Sequence, residues 1–387
     1  MEDEDIEVLI AMNNFAALGV QRVFIKILNN WPESGPAVGL SLHNTEGRFE
    51  SQFDAAVPVF ELDKIQRPIP GIRAPFRVLA YYRLLKQVQP ETVIAVNQFE
   101  SLALCLVKRF YDDFDLVVSE NCHVTSNIER ADAHEGWFGW YYRNRFRHEY
   151  NTYADVVHTV AEEAAEDLIH NHGIREDKVE IIYNPVDIEH IRAEADAREP
   201  DHPWLGAENN TVINVSRLTS QKRVDILLKA WAELKDTEPA DTNPPYRLVV
   251  VGDGEERDAL EELTQELGIE DSVDFVGFKQ NPWPAVKQAT LLASTSEWEG
   301  LPLTLIETQA VGTAIVASDC PSGPKEILLC GDAGFLFPKN DVAACAETLE
   351  SALTAPEERR RRVEAATAAL DRFAVETVVE EFVDLVQ

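Results

Sequence analysis

At 387 residues with 45% hydrophobic content, the chain is long enough for two domains, each with its own core. Its 35 Lys and Arg against 68 Asp and Glu leave a formal net charge of −33, which excludes a protein built to grip a nucleic-acid backbone. The acids are spread along the chain; such a surface points to a salt-rich cytoplasm, with an ordinary acidic protein as the alternative.

Cys105, Cys122, Cys320, Cys330 and Cys345 show neither Cys-x-x-Cys nor zinc spacing, so reduced thiols in a cytoplasm are expected. The start, Met-Glu-Asp-Glu-Asp, lacks the basic beginning of a signal peptide. No apolar run approaches the ~20 residues of a membrane helix, so any membrane encounter is expected at its cytoplasmic face.

In chain order, Glu7–Ala11 reads as a strand, Asn13 to Gly19 as a loop and Val20–Asn29 as a helix. Further strands are predicted at Val38–Leu42, Val59–Leu62, Thr92–Val96, Leu116–Ser119 and Val156–Val160. Helical stretches at Ala74–Gln87, Phe99–Phe110, Gly139–Tyr153 and Glu162–Asn171 separate several of them. Short apolar strands alternating with helices imply a doubly wound parallel sheet, whose ligands sit at the carboxyl ends of the strands. One such end is Val117-Val-Ser-Glu-Asn-Cys-His123.

The stretch Trp137 to Tyr150 gathers aromatic residues with Arg143, Arg145 and Arg147. At helical spacing Phe138, Tyr142 and Phe146 share a stripe. It suits either docking on an anionic membrane surface through 137–147 or packing on the sheet.

Asn184-Pro185 is a turn signal, and the domain boundary is placed near residue 188. The division expected is 1–187, 188–372 and a final helix, 373–387. In the second half Val212–Val215, Arg247–Val251 and Val273–Val276 read as strands, Gly252-Asp253-Gly254 as a tight turn and Glu255–Leu267 as a helix. Leu291–Ala293 is a short buried strand. The polar loop Thr295–Pro302 carries Glu297 and Glu299. A helix from Leu303 to Val311 follows, stopped by Gly312, and then a strand, Ala314–Ala317. Glu307 sits one turn into that helix. Side chains there lean toward its N-terminus, so Glu307 and Glu299 can face one space above backbone N–H groups at Gly300, Leu303 and Thr304. Such N–H groups take phosphate and carboxylates take sugar hydroxyls, which together suggest a nucleotide-sugar.

Glu299-x7-Glu307, inside Ser-x-x-Glu-Gly-Leu-Pro-Leu-x-Leu-Ile-Glu, resembles the signature of retaining GT-B glycosyltransferases of family GT4. The resemblance implies two doubly wound Rossmann-like domains facing a central cleft, the second helped by a final helix that crosses back to the first. It implies that Glu307 holds the ribose hydroxyls and that Glu299 lies by the donor sugar. Arg217 and Lys222 match the family's cations for the departing diphosphate, and Gly277-Phe278 its frame around the base. Gly19 and Arg22 match its turn near the phosphates, and Glu326 would brace the site. Where the family often has a sugar-contacting His after a strand, this chain has Asn121, so Glu120 and His123 are the candidates for that contact.

The implied activity is transfer of a sugar from a nucleotide diphosphate donor, UDP before GDP, to a glycan or lipid-linked acceptor. No Asp-x-Asp occurs at a strand end, and Asp112-Asp113 and Asp253 lack partners at ligand spacing, so neither metal nor other cofactor is expected. A GT-B epimerase or phosphorylase, and a non-catalytic partner of the same fold, are the alternatives.

Overall fold

The computed structural model describes residues 6–15, 19–47, 50–54, 56–65, 73–130, 137–200, 202–206 and 210–387. They form two compact units divided at Pro185/Val186 and Ala374/Val375, the C-terminal segment from Val375 belonging with the first.

The first unit holds a seven-stranded parallel sheet: β1 (Val8–Met12), β2 (Val38–Leu42), β3 (Val59–Glu61), β4 (Thr92–Val96), β5 (Asp115–Glu120), β6 (Val156–Thr159) and β7 (Val179–Ile181). Their spatial order is β3-β2-β1-β4-β5-β6-β7. β1 and β4 are buried along their whole length, which is why they read as unbroken apolar runs. Leu84, Leu104, Val118 and Tyr150 are among the side chains that fill the core on one face of this sheet. The C-terminal helix Val375–Leu385 packs Phe382 edge-on against Phe24, 5.8 Å between centroids, and against His158, 5.0 Å. Each such fully buried apolar side chain stabilises the fold by about 1.5–3 kcal/mol.

The second unit holds six parallel strands: β8 (Thr211–Val215), β9 (Arg247–Val251), β10 (Val273–Gly277), β11 (Leu291–Ser294), β12 (Ala314–Asp319) and β13 (Phe335–Pro338). The order β10-β9-β8-β11-β12-β13 reverses direction between β8 and β11. That switch point opens a crevice at the carboxyl ends of the two strands. Trp231 is fully buried here, its indole N–H donating to Ser272 Oγ at 3.1 Å.

The helix Val224–Thr237 lies where no element is predicted above, and three further elements depart from expectation. β7 and β13 are edge strands of three and four residues, too short to show a strand period. The expected helix Phe373–Val386 is a 3-10 turn, Leu370–Phe373, followed by the helix Val375–Leu385. Between them Ala374 pairs with Val186 in a parallel bridge, and Val186 N–H donates to Phe373 O at 2.7 Å.

Candidate functional site

The loops that leave β8 and β11 are stitched together at the switch point of the second sheet. After β8 the chain runs through Ser216-Arg217-Leu218 directly beneath the turn that follows β9. Two glycines permit this. A Cβ on Gly252, at φ +144°, would lie 1.8 Å from Ser216 O, and one on Gly254 would lie 2.2 Å from Leu218 O. Leu218 N–H then donates to Asp253 O at 2.9 Å. Gly-Asp-Gly is a weak signal in sequence; its work is to seat the loop that carries Arg217.

Arg217 is exposed and donates to Gln221 Oε1 at 3.4 Å. Gln221 donates its side-chain amide to Trp298 O at 2.9 Å and accepts Glu297 N–H at its backbone carbonyl at 2.9 Å. A further tie comes from the buried Thr295, whose hydroxyl reaches the carbonyls of Lys222 at 3.0 Å and Arg223 at 2.9 Å. Arg223 adopts a left-handed conformation, φ 46°, that a residue with a Cβ rarely takes. Its guanidinium is held by Asp225 at 2.9 Å, with Glu297 3.9 Å away.

These ties bring Lys222 onto Glu299. The ammonium pairs with Glu299 Oε1, and Ser296 Oγ donates to the same oxygen at 2.6 Å. Glu299 is only 8% exposed, and enclosing a carboxylate is costly unless it is paired and hydrogen-bonded. Its backbone N–H donates to Pro321 O at 2.7 Å, in the loop after β12. That loop also braces Gly300: Ser322 Oγ donates to Gly300 O at 2.8 Å, and a Cβ on Gly323, at φ +96°, would approach Gly300 O to 2.7 Å.

Glu307 is 3% exposed and lies in the helix Leu303–Val311, which starts next to this group. The helix ends at Gly312, φ 79°, whose N–H returns to Gln309 O at 3.1 Å. Its first turn, with Leu303 and Thr304, presents N–H groups that helix geometry leaves without intrahelical acceptors. Gly277, φ 73°, ends β10 and accepts Gly252 N–H at 3.0 Å, so the Gly277-Phe278 turn lies on the same sheet end, with Phe278 62% exposed. The backbone carbonyl of Glu326 accepts from Arg372 at 2.9 Å.

In the first unit both candidates, Glu120 and His123, are engaged by neighbouring groups. Glu120 ends β5 with 1% exposure, and Oε1 accepts both Tyr142 Oη at 3.1 Å and Tyr150 Oη. Burial pushes its carboxyl up to about 7, against the hydrogen bonds from Tyr150, Tyr142 and Gln98. Glu120 is thus enclosed, with both tyrosine hydroxyls on one carboxylate oxygen. His123 caps the short helix Val124–Arg130: Nδ1 accepts Ser126 N–H at 3.3 Å and lies 2.9 Å from Ser126 Oγ. Its Nε2 lies 3.6 Å from Asp167, which also receives Thr125 N–H at 2.9 Å.

Asn121 is fixed by a relay. Its amide donates to Ser119 Oγ at 2.9 Å, Ser119 bonds His158 Nδ1 at 2.8 Å, and His158 Nε2–H donates to Ile182 O at 3.0 Å. Burial lowers His158 to about 4, so it is neutral at physiological pH. Gly19 begins the helix Gly19–Asn29, and a Cβ there would meet no atom of the described residues within 4 Å.

The aromatic stripe is core. Tyr142 and Phe146 stack at 4.9 Å and Tyr150 meets Phe146 edge-on at 5.6 Å, all buried. The membrane reading of that stripe is therefore corrected for these residues; the side chains of Trp137 and Phe138 lie outside the described ones. On the opposite face Trp140 is 55% exposed, with exposed Arg147 and His148 two turns on, while Arg145 lies toward the buried Glu149 at 3.7 Å. No helix among the described residues is long and apolar enough to cross a membrane. No cluster of three His, Cys, Asp or Glu among them is placed to hold a metal ion.

The sequence assigns no role to Thr295, Gln221 or Ser296, although Ser296 is the Ser of the Ser-x-x-Glu stretch. That spacing is the one a local side-chain hydrogen bond uses.

Residues 18–190 match the family model "Glycosyltransferase Family 4", and residues 199–369 match "Glycosyl transferases group 1". An uncharacterized glycosyltransferase of Haemophilus influenzae is 31% identical over 47% of this chain and 50% of its own length. The lipopolysaccharide 1,6-galactosyltransferase of Salmonella typhimurium is 30% identical over 48% and 49%. The chain thus spans about half the length of these curated relatives. An N-acetylgalactosaminyltransferase of Campylobacter jejuni, named for an undecaprenol diphosphate-linked acceptor, is 27% identical over 68% and 67%. Among solved structures, Anabaena HepE in complex with UDP superposes with a TM-score of 0.78 at 20% identity, covering 98% of this chain and 99% of that one. The fold is GT-B, and both family models support a GT-B glycosyltransferase.

Proposed function

We propose that this GT-B chain, whose halves match two glycosyltransferase family models, is a retaining glycosyltransferase that takes a sugar from a UDP-sugar and needs no metal. The observation that carries the proposal is the Lys222–Glu299 pair at the β8/β11 switch point, beside the first turn of Leu303–Val311. Anionic phosphates suit that turn and the two cations, and a buried carboxylate on either side suits hydroxyls. Arg217 and Lys222 offset the charge that grows on the departing diphosphate, the role fixed cations fill best. The bond from the anomeric carbon to the diphosphate breaks, and the acceptor oxygen bonds to that carbon on the same face. The acceptor proton leaves with the diphosphate. The part of the protein is positioning and charge, with no covalent intermediate.

The relatives' names and the UDP-bound neighbour support UDP as donor nucleotide and a glycan or lipid-linked acceptor. Calorimetric titration with UDP, GDP and ADP tests the reading: UDP binds tightest, and Glu307→Gln weakens it by about 1.5–3 kcal/mol as a charged acceptor for the ribose becomes neutral. Unchanged affinity in the variant removes Glu307 from the site.

A lipid-linked acceptor requires this acidic protein to meet an anionic bilayer. The exposed face with Trp140, Arg147 and His148 is the surface suited to it, an aromatic ring at the headgroup level beside cations. Co-sedimentation with anionic liposomes is expected to persist in molar KCl and to drop for Trp140→Ser with Arg147→Ser. Wild-type protein left in the supernatant at every salt concentration would argue for a soluble acceptor.

A further inference from the structure

Glu299 Oε1 carries two donors of different kinds. One is the Lys222 ammonium, on a flexible stem with three rotatable N–H groups. The other is Ser296 Oγ at 2.6 Å, from a residue only 2% exposed. Ser296 is itself clamped, since its carbonyl accepts Ser318 Oγ at 2.6 Å. The lysine can turn toward a stronger anion while the serine stays with the carboxylate.

Within the reading of this site as a diphosphate site, we propose that Ser296 is a positioning residue that keeps Glu299 in place when Lys222 leaves Oε1 for an incoming diphosphate. An arriving diphosphate both attracts Lys222 and repels Glu299. Without the serine hydroxyl, the carboxylate loses one anchor to the departing lysine and is free to rotate away from the sugar. With it, Glu299 remains a fixed acceptor through the reaction. Ser296 touches no reacting atom and acts through Glu299 alone.

The test combines titration with UDP and release of UDP from UDP-glucose, UDP-galactose and UDP-N-acetylgalactosamine, using the full chain. Ser296→Ala is expected to bind UDP within about two-fold of wild type, because the diphosphate partners are intact. Its kcat falls about ten-fold, the scale of a lost hydrogen bond to a charged group. Ser296→Thr, which keeps the hydroxyl, restores most of that loss. In a Glu299→Gln background, Ser296→Ala adds no further loss, as coupled residues require.

Wild-type kcat in Ser296→Ala, a fall in UDP affinity as large as that in kcat, or full additivity with Glu299→Gln would each overturn the positioning role. The reading of the site fails in a different way. Lys222→Ala would then bind UDP as wild type does, and Glu299→Gln would turn over every donor unchanged.

Discussion

Replacing Lys222 by Ala is expected to lower kcat by roughly 10²–10³, the cost of removing one fixed donor from a developing anion. The loss in affinity for intact donor is expected to be smaller, since diphosphate charge grows as the bond breaks. Arg217→Ala moves the same way but less, because its guanidinium is exposed and reaches the group only through Gln221. Lys222→Ala also leaves Glu299 with Ser296 as its one remaining side-chain donor among the described residues, so a fall in melting temperature accompanies the loss. Glu299→Gln in the same chain should recover that stability without recovering turnover. Initial rates with and without EDTA complete the experiment: activity that chelation abolishes and Mg²⁺ restores would defeat a mechanism in which these cations alone neutralise the leaving group.

The second large effect concerns Glu120 and pH. Its ordinary value is 4.5, and burial holds it near 7 in the folded protein. The unfolded chain therefore releases this proton at a lower pH than the folded one. The contribution of Glu120 to stability is fully present below pH 4.5, is lost as pH rises from 4.5 to 7, and stays lost above that. At 1.36 kcal/mol per unit, the fall amounts to roughly 3 kcal/mol. Glu120→Gln keeps an acceptor for Tyr142 and Tyr150 and has no charge to bury, so the variant should lack this fall. Urea unfolding at pH 5 and pH 8 reads it directly. Wild type and variant are expected to differ little at pH 5, and the variant to be more stable at pH 8. Parallel pH profiles would show that Glu120 does not titrate in this range.

The same residue marks where reading the sequence reaches its limit. Glu120 follows an apolar strand, and strand ends in doubly wound sheets meet ligands, so a sugar contact was a reasonable expectation. Whether its carboxyl turns to solvent or to the core depends on Tyr142 and Tyr150, more than twenty residues onward, on a helix whose packing the strand does not encode. His123 is a similar case. Its loop position shows in the sequence, but that the imidazole caps the helix Val124–Arg130 and faces Asp167 does not.

What the sequence determined by itself is the order of elements and the chemistry of one loop. Strands such as Val8–Met12 and Thr92–Val96 are legible because both their faces are buried, leaving unbroken apolar runs between turn residues. Gly312 ends its helix by a local backbone need, which any sequence neighbour can reveal. The spacing of Glu299 and Glu307 is likewise local. Only the tertiary structure decided which groups meet. Lys222 reaches Glu299 across seventy-seven positions of chain, through ties from Thr295 and Gln221 that no periodicity announces. It also decided that Tyr142 and Phe146 are core while Trp140 is surface. An amphipathic helix shows its stripe in sequence, but whether that stripe faces a sheet or a solvent boundary is settled by what packs against it.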